Sequence, residues 1–181
     1  MAVSPAPDRT WWAAHTRHQH ENAAAVSLGQ KGFEVFLPQY TTVRQWSDRS
    51  KSLSLPLFPC YVFLRGDLPG LSILTTPGVH GLVGFGGVPA AIPEGEIDAI
   101  RQALTRRAPL QPYPFLKAGD WVRVKCGPLE GLEGRLVRSK GGFRLVLSVD
   151  ILQKSAAVEV SACLVERAKE PERRESRFSF A

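Results

Sequence analysis

Hydrophobic and polar positions along the 181-residue chain fall into short blocks whose spacing changes midway. Trp11-Trp12-Ala13-Ala14-His15-Thr16 is aromatic-led and short, which predicts a first strand. Glu21 to Gln30, carrying Ala23, Ala24, Ala25, Val26 and Leu28 before Gly29 and Gly32, predicts a helix that stops near a glycine. Phe33 to Val43 is rich in β-branched and aromatic residues, with Pro38 placing an edge or bend inside the strand. Residues 44 to 54 are polar and suit an exposed hairpin loop. The densest apolar run, Leu57-Phe58-Pro59-Cys60-Tyr61-Val62-Phe63-Leu64, predicts a central strand, with Tyr61 and Phe63 on one face and Cys60, Val62 and Leu64 on the other. Leu68 to Leu74 reads as a short helix, Gly78 to Phe85 as a strand and Gly84 to Pro89 as a turn. Pro93, then Glu94 and Glu96, then Ile97, Ile100 and Leu104 at helical spacing, mark a third helix ending at Arg106-Arg107.

Three prolines, Pro109, Pro112 and Pro114, predict a stiff linker between two domains. Beyond it the period shortens. Trp121 to Lys125, Gly134 to Arg138, Phe143 to Val149, Ala157 to Val160 and Cys163 to Val165 read as five strands separated by glycine-rich and polar turns. Strands packed that tightly predict a small closed barrel, because open edges invite aggregation. The expected organisation is an α+β domain over 8–108, in which helices flank an antiparallel sheet, a linker over 109–117, a five-stranded all-β barrel over 118–168, and a disordered tail over 169–181.

Composition narrows the class without naming it. With 44% hydrophobic and 22% charged residues the chain can build a core and is not a disordered one. Neither a transmembrane run nor a secretory signal stands out, so a cytoplasmic monomer is expected. Cys60, Cys126 and Cys163 lack a C-x-x-C spacing, which predicts reduced, buried packing thiols. The net charge of +6 permits contact with nucleic acid. Residues 9–65 hold 7 basic and 3 acidic side chains, against 8 and 6 over 118–168, so a nucleic-acid face belongs to the first part.

Signals for catalysis are weak. Gly84-Phe85-Gly86-Gly87 leads into a proline rather than a helix, no Gly-Lys dipeptide occurs, and no Gly-x-Ser-x-Gly elbow is present. His15, His18 and His20 crowd one corner, but their spacing does not fit one helical face and no Asp or Cys within the segment completes a metal site. An enzyme, a cofactor and a metal are therefore not expected.

Two sets of motifs together resemble a known family. Trp11-Trp12, Glu21, Leu57 to Leu64 and Thr76-Pro77-Gly78-Val79-His80-Gly81-Leu82-Val83-Gly84-Phe85-Gly86-Gly87-Val88-Pro89 resemble the N-terminal domain of the NusG/RfaH transcription elongation and antitermination factors. Gly119-Asp120-Trp121-Val122-Arg123-Val124, followed by Gly127-Pro128-Leu129-Glu130-Gly131-Leu132-Glu133-Gly134, resembles a KOW motif. The resemblance implies an RNA polymerase-binding pocket for the clamp helices of the largest subunit, near Trp12, His15, Phe58, Tyr61 and Phe63. Those aromatics serve either a core or an interface. The resemblance places Arg17 and His18 against the non-template DNA strand, where a cation follows phosphate and an imidazole stacks on an unpaired base; plain solvation is the alternative. Arg44, Arg49 and Lys51 extend the field.

In the barrel, the resemblance assigns Leu129, Ile151, Leu152 and Lys154 to contact with ribosomal protein NusE or with Rho. Eight valines between Trp121 and Val165 favour a permanent barrel over the helical refolding of RfaH-like members. Cys60 after proline, where glycine is usual, and the Val83 to Gly86 run point toward a specialised, UpxY-like paralogue. The rival reading is a KOW-type RNA-binding, ribosome-associated protein, whose signature would be a stronger basic excess in the barrel.

Overall fold

The computed structural model describes residues 10–46, 49–66, 70–115, 119–139, 141–161 and 164–171. Strand β1 (Trp11–Thr16) and helix α1 (Glu21–Gln30) fall where the pattern predicts them. The helix ends because Gly32, at φ 89°, takes the left-handed conformation and lets Phe33 N–H reach the Leu28 carbonyl at 3.3 Å. Pro38 divides the next segment into β2 (Glu34–Phe36) and β3 (Gln39–Trp46). β3 then pairs with β4 (Arg49–Pro56) in register from Gln39↔Pro56 to Trp46↔Arg49. The polar stretch expected as a loop is thus the arms of a hairpin: backbone pairing outweighs side-chain polarity where both faces can stay wet. Residues 47 and 48 lie outside the described residues.

The apolar run contains strand β5 from Tyr61 to Arg65 alone. Leu57 and Phe58 are buried ahead of it, and a turn with Cys60 at φ 68° separates them from the strand. Helix α2 (Gly70–Leu74) and strands β6 (Val79–Leu82), β7 (Gly84–Phe85) and β8 (Val88–Pro89) follow. β7 and β8 make a small hairpin in place of the expected turn. A Cβ on Gly84 would stand 1.9 Å from the Val88 carbonyl oxygen, so no other residue fits there. Helix α3 spans Glu94–Thr105.

Strands β2, β5, β1 and β6 form an antiparallel sheet in that order. Both its faces are covered. Ala14, Val62 and Leu64 pack with Leu28 of α1 and Ile73 of α2 on one side. Trp11, Ala13 and Phe63 pack on the other with Leu57, Phe58 and α3 residues Ile97, Ile100 and Ala103. That double coverage explains why β5 reads as a continuous apolar run rather than an alternating one.

The C-terminal part holds β9 (Gln111–Tyr113), β10 (Asp120–Val124), β11 (Glu133–Ser139), β12 (Gly142–Val149), a 3-10 turn (Asp150–Leu152), β13 (Lys154–Val160) and β14 (Val165–Arg167). They make one antiparallel sheet in the order β14-β10-β11-β12-β13-β9. Two expectations change here. The proline-rich segment, expected as a linker, supplies β9, pairing Ser155↔Tyr113 to Ala157↔Gln111, and buries Leu110. Proline fits because β9 is an edge strand, where Pro112 need not donate. Among the described residues the sheet therefore has six strands where five are expected, with β14 and β9 at the ends of the order. Cys163 and residues 172–181 lie outside the described residues. Earlier in the tail, Glu170 forms an ion pair with Arg135.

The two parts share a core. The cluster around Phe63 and α3 continues into Val122, Val124, Leu132, Leu145, Leu147, Val149, Leu152, Ala156 and Val158. Polar contacts cross the same seam: Asp150 N–H donates to a Glu96 carboxylate oxygen at 3.2 Å, and the Arg106 guanidinium donates to the Glu130 carbonyl.

Candidate functional site

Register in the central sheet decides which expected site residues share a surface. β1 and β5 pair Trp11↔Arg65, Trp12↔Leu64, Ala13↔Phe63, Ala14↔Val62 and His15↔Tyr61. Residues directly opposite one another lie on the same face. Trp12 is therefore grouped with Leu64 on the face covered by α1 and α2, where its Nε1–H donates to the Gly66 carbonyl at 3.1 Å. The expected grouping of Trp12 with Phe58, Tyr61 and Phe63 does not hold. Trp11 takes that place, edge-on to Phe36 with centroids 6.4 Å apart and with the Arg65 and Arg101 guanidinium carbons 5.8 and 5.0 Å from its ring.

Phe58 and Phe63 are 1% and 0% exposed, packed edge to face at 5.6 Å. They are core residues and present no ring to solvent, so the open aromatic hollow expected around them is filled. Adjacent strands nonetheless leave a different row accessible. The half-buried Tyr61 ring of β5 lies 5.4 Å from that of exposed His15 on β1, which lies 5.5 Å from that of exposed His80 on β6. His80 joins the row through a register shift: His15 pairs with Gly81 and Thr16 with Val79, leaving His80 as the extra residue of a bulge. Sequence alternation alone does not reveal such an insertion, which is why His80 is absent from the expected site.

Arg17 and His18 are exposed where β1 turns toward α1. The turn is fixed by Arg17 N–H donating to the Gly78 carbonyl at 2.8 Å and Thr16 N–H donating to the Cys60 carbonyl at 2.8 Å. Beneath it Glu21, the first residue of α1, is 3% exposed and accepts the Cys60 N–H at 2.8 Å through Oε1. A carboxylate at a helix N-terminus faces the positive end of the dipole, which offsets part of its burial. Cys60 Sγ lies 3.9 Å from His18 Nδ1. Cys60 is partly exposed and Cys126 exposed, so the expectation of buried packing thiols fails for both. Lys51 is exposed on β4, while Arg44 and Arg49 occupy positions on β3 and β4.

The expected partner-binding corner of the C-terminal part is mostly covered. Leu152 is 6% exposed, and Leu129 and Ile151 are partly buried against the shared core. Lys154 is exposed. These apolar residues are not free loop tips here, because the 3-10 turn carrying Ile151 and Leu152 lies against the α3 side of the seam.

A family model described as "Transcription termination factor nusG" matches residues 9–101, the stretch that holds the central sheet, the ring row and the Arg17 corner. This defines the class as transcription termination and antitermination factors. The chain belongs to the NusG family. Similar proteins include the transcription termination/antitermination protein NusG of Staphylococcus carnosus, 24% identical over 88% of this chain and 96% of its own length. That of Helicobacter pylori strain J99 is 28% identical over 66% of this chain and 70% of its own. Among solved structures, one titled "Domain interaction in Thermotoga maritima NusG" aligns over 90% of this chain and 98% of that one at 22% identity, with a TM-score of 0.49.

Proposed function

We propose that this transcription factor acts on elongating RNA polymerase through two modules, a polymerase-binding one over 8–108 and a KOW-type one over 118–168. The row His15, Tyr61 and His80 receives the clamp-helix tip of the largest polymerase subunit, while Phe58, Phe63 and Trp12 hold the sheet beneath it. The supporting observation is that these three rings neighbour one another and are accessible, while Trp11, Phe58 and Phe63 beside them are sealed in the core. Tyrosine and histidine offer apolar faces and polar edges together, which suits an interface that must also exist in water. Binding the active polymerase conformation better than the paused one is what such a factor needs in order to shift the balance between them.

Paired substitution His15→Ala, Tyr61→Ala is expected to remove co-purification with RNA polymerase while lowering the melting temperature by no more than a few degrees, since neither ring is fully buried. Retention of the polymerase by the pair would exclude the row as the docking site.

Arg17 and His18 lie beside the row and face the non-template strand in this reading. Replacing Arg17 with Ala should alter pausing on a defined template and reduce the salt dependence of binding by about one phosphate contact; unchanged pausing would remove Arg17 from the DNA path. The KOW-type module recruits ribosomal protein NusE or Rho through Leu129, Ile151, Leu152 and Lys154. Because three of those four pack against the shared core, recruitment through them requires the modules to part first. Two sites on one chain then work through effective concentration.

A further inference from the structure

Beneath the Arg17 corner three different metal-ligating side chains converge from two distant stretches of chain. His18, Glu21 and Cys60 each offer one donor atom, and those atoms all lie within 4.8 Å of one another. Three features distinguish the cluster from a chance gathering. Glu21 is buried, and its Oε1 accepts the Cys60 N–H at 2.8 Å. The same carboxylate therefore fixes the backbone that carries the thiol, as outer hydrogen bonds do around metal ligands. Cys60 sits at φ 68°, a conformation that glycine takes freely and cysteine takes at a cost of about 1 kcal/mol or more; strain retained at a thiol-bearing position points to a use for the thiol. Finally, the Sγ to Nδ1 distance of 3.9 Å is close to the separation of about 3.3–3.6 Å that neighbouring donors have around a tetrahedral zinc ion.

We infer that His18, Glu21 and Cys60 form a binding site for a divalent metal ion of the zinc class. The donor set is one thiolate, one imidazole and one carboxylate, a mixture that suits zinc or cobalt and not magnesium or calcium. Binding replaces the Cys60 thiol proton, which leaves to solvent as the sulfur–metal bond forms, and no electrons are transferred. His18 is exposed, so its side chain is the ligand free to adjust, and the donor atoms already lie within 4.8 Å of one another. Three protein ligands leave a fourth position open to water or to a donor from a docked molecule. The ion would pin the β1–α1 turn to the β5 entry, ordering the corner that bears Arg17. This inference does not rest on the polymerase reading.

The test uses the full chain, reduced and metal-free, titrated with cobalt(II) and then competed with zinc. Cobalt should bind at 1:1 stoichiometry with a thiolate-to-cobalt charge-transfer band and visible bands of tetrahedral intensity, both bleached by zinc. Cys60→Ser should remove the charge-transfer band, and His18→Ala should weaken binding by about tenfold or more, the least that losing even a supporting group costs. Cys60→Gly removes the thiol and the backbone strain together. It should lose the band while melting no lower than the parent, which separates loss of the ligand from loss of the fold. The double variant Cys126→Ser, Cys163→Ser should bind as the parent does. Absence of the band in the parent, its persistence in Cys60→Ser, or unchanged affinity in His18→Ala would each overturn the site.

Discussion

Phe63→Ala should lower the free energy of unfolding by about 3–5 kcal/mol, the range for deleting a buried phenyl ring and leaving its cavity. Phe63 is inaccessible, contacts Phe58 and Phe36 at 5.6 and 6.1 Å, and belongs to the cluster that runs from the first sheet through α3 into the second. Walls drawn from three layers cannot all collapse inward, which favours the upper part of the range. Domains commonly retain about 5–15 kcal/mol in all, so the variant should unfold at much lower denaturant. Tyr61→Ala, two residues along the same face, should cost far less because its ring is partly in water already. Urea melts of both variants check the contrast. Equal losses would mean that Tyr61 is as much a core residue as Phe63, and that the division of this face into sealed and accessible rings is wrong.

The second large effect belongs to the seam. Leu152→Asp puts a carboxylate into the core shared by α3 and the C-terminal sheet. Moving an unpaired charge out of water carries an effective penalty of several kcal/mol. The Glu96 to Asp150 and Arg106 to Glu130 contacts are together worth less than that, since one net hydrogen bond contributes about 0.5–1.5 kcal/mol and the Arg106 side chain is solvent-exposed. The modules should therefore part, or the C-terminal sheet should open, before the charge is tolerated. Limited proteolysis around 106–115 should become much faster in the variant, and a single thermal transition should split in two. Glu96→Ala provides a milder version, loosening the seam without planting a charge. Should Leu152→Asp resist protease like the parent and melt in one step, the seam does not hold the modules together.

Much of the N-terminal architecture was legible from local pattern. Trp11–Thr16 and Glu21–Gln30 announce themselves because aromatic and β-branched residues end abruptly in a helix-forming run closed by glycine. The third helix is marked by acidic residues in its first turn and apolar ones at helical spacing. Failures follow from what local pattern cannot carry. Trp11 and Trp12 are adjacent, period two must send them to opposite faces, and nothing nearby says which indole meets Phe63; the register with β5 decides it. The stretch 44–54 is polar enough for a loop, yet its pairing partner lies close in sequence, and hairpin pairing tolerates polar side chains on both faces. Pro109, Pro112 and Pro114 look like a linker until β13 offers an edge that needs no donor from Pro112.

The site was legible in its residues more than in its geometry. His15, Tyr61, Arg17 and His18 were identifiable from the sequence, whereas His80 enters through a bulge that alternation cannot foresee. Phe58 and Phe63 carry the expected chemistry but lie below the surface, since burial depends on α3 and the second sheet, both far along the chain. The thiol of Cys60 reaches His18 and Glu21 only through the strained turn before β5. Histidines at 15, 18 and 20 have an acid beside them in Glu21 but no thiol near them in sequence, and folding supplies the thiol from Cys60.

Hydrogen-exchange protection of the full chain, measured alone and in complex with core RNA polymerase, tests the central claim most directly. Protection is expected to rise over 13–16, 60–62 and 79–82, the segments that carry His15, Tyr61 and His80, with little change along α1. Protection confined to other segments, with those three unaltered while the complex is demonstrably formed, would contradict the proposal that this row of rings is where the polymerase docks.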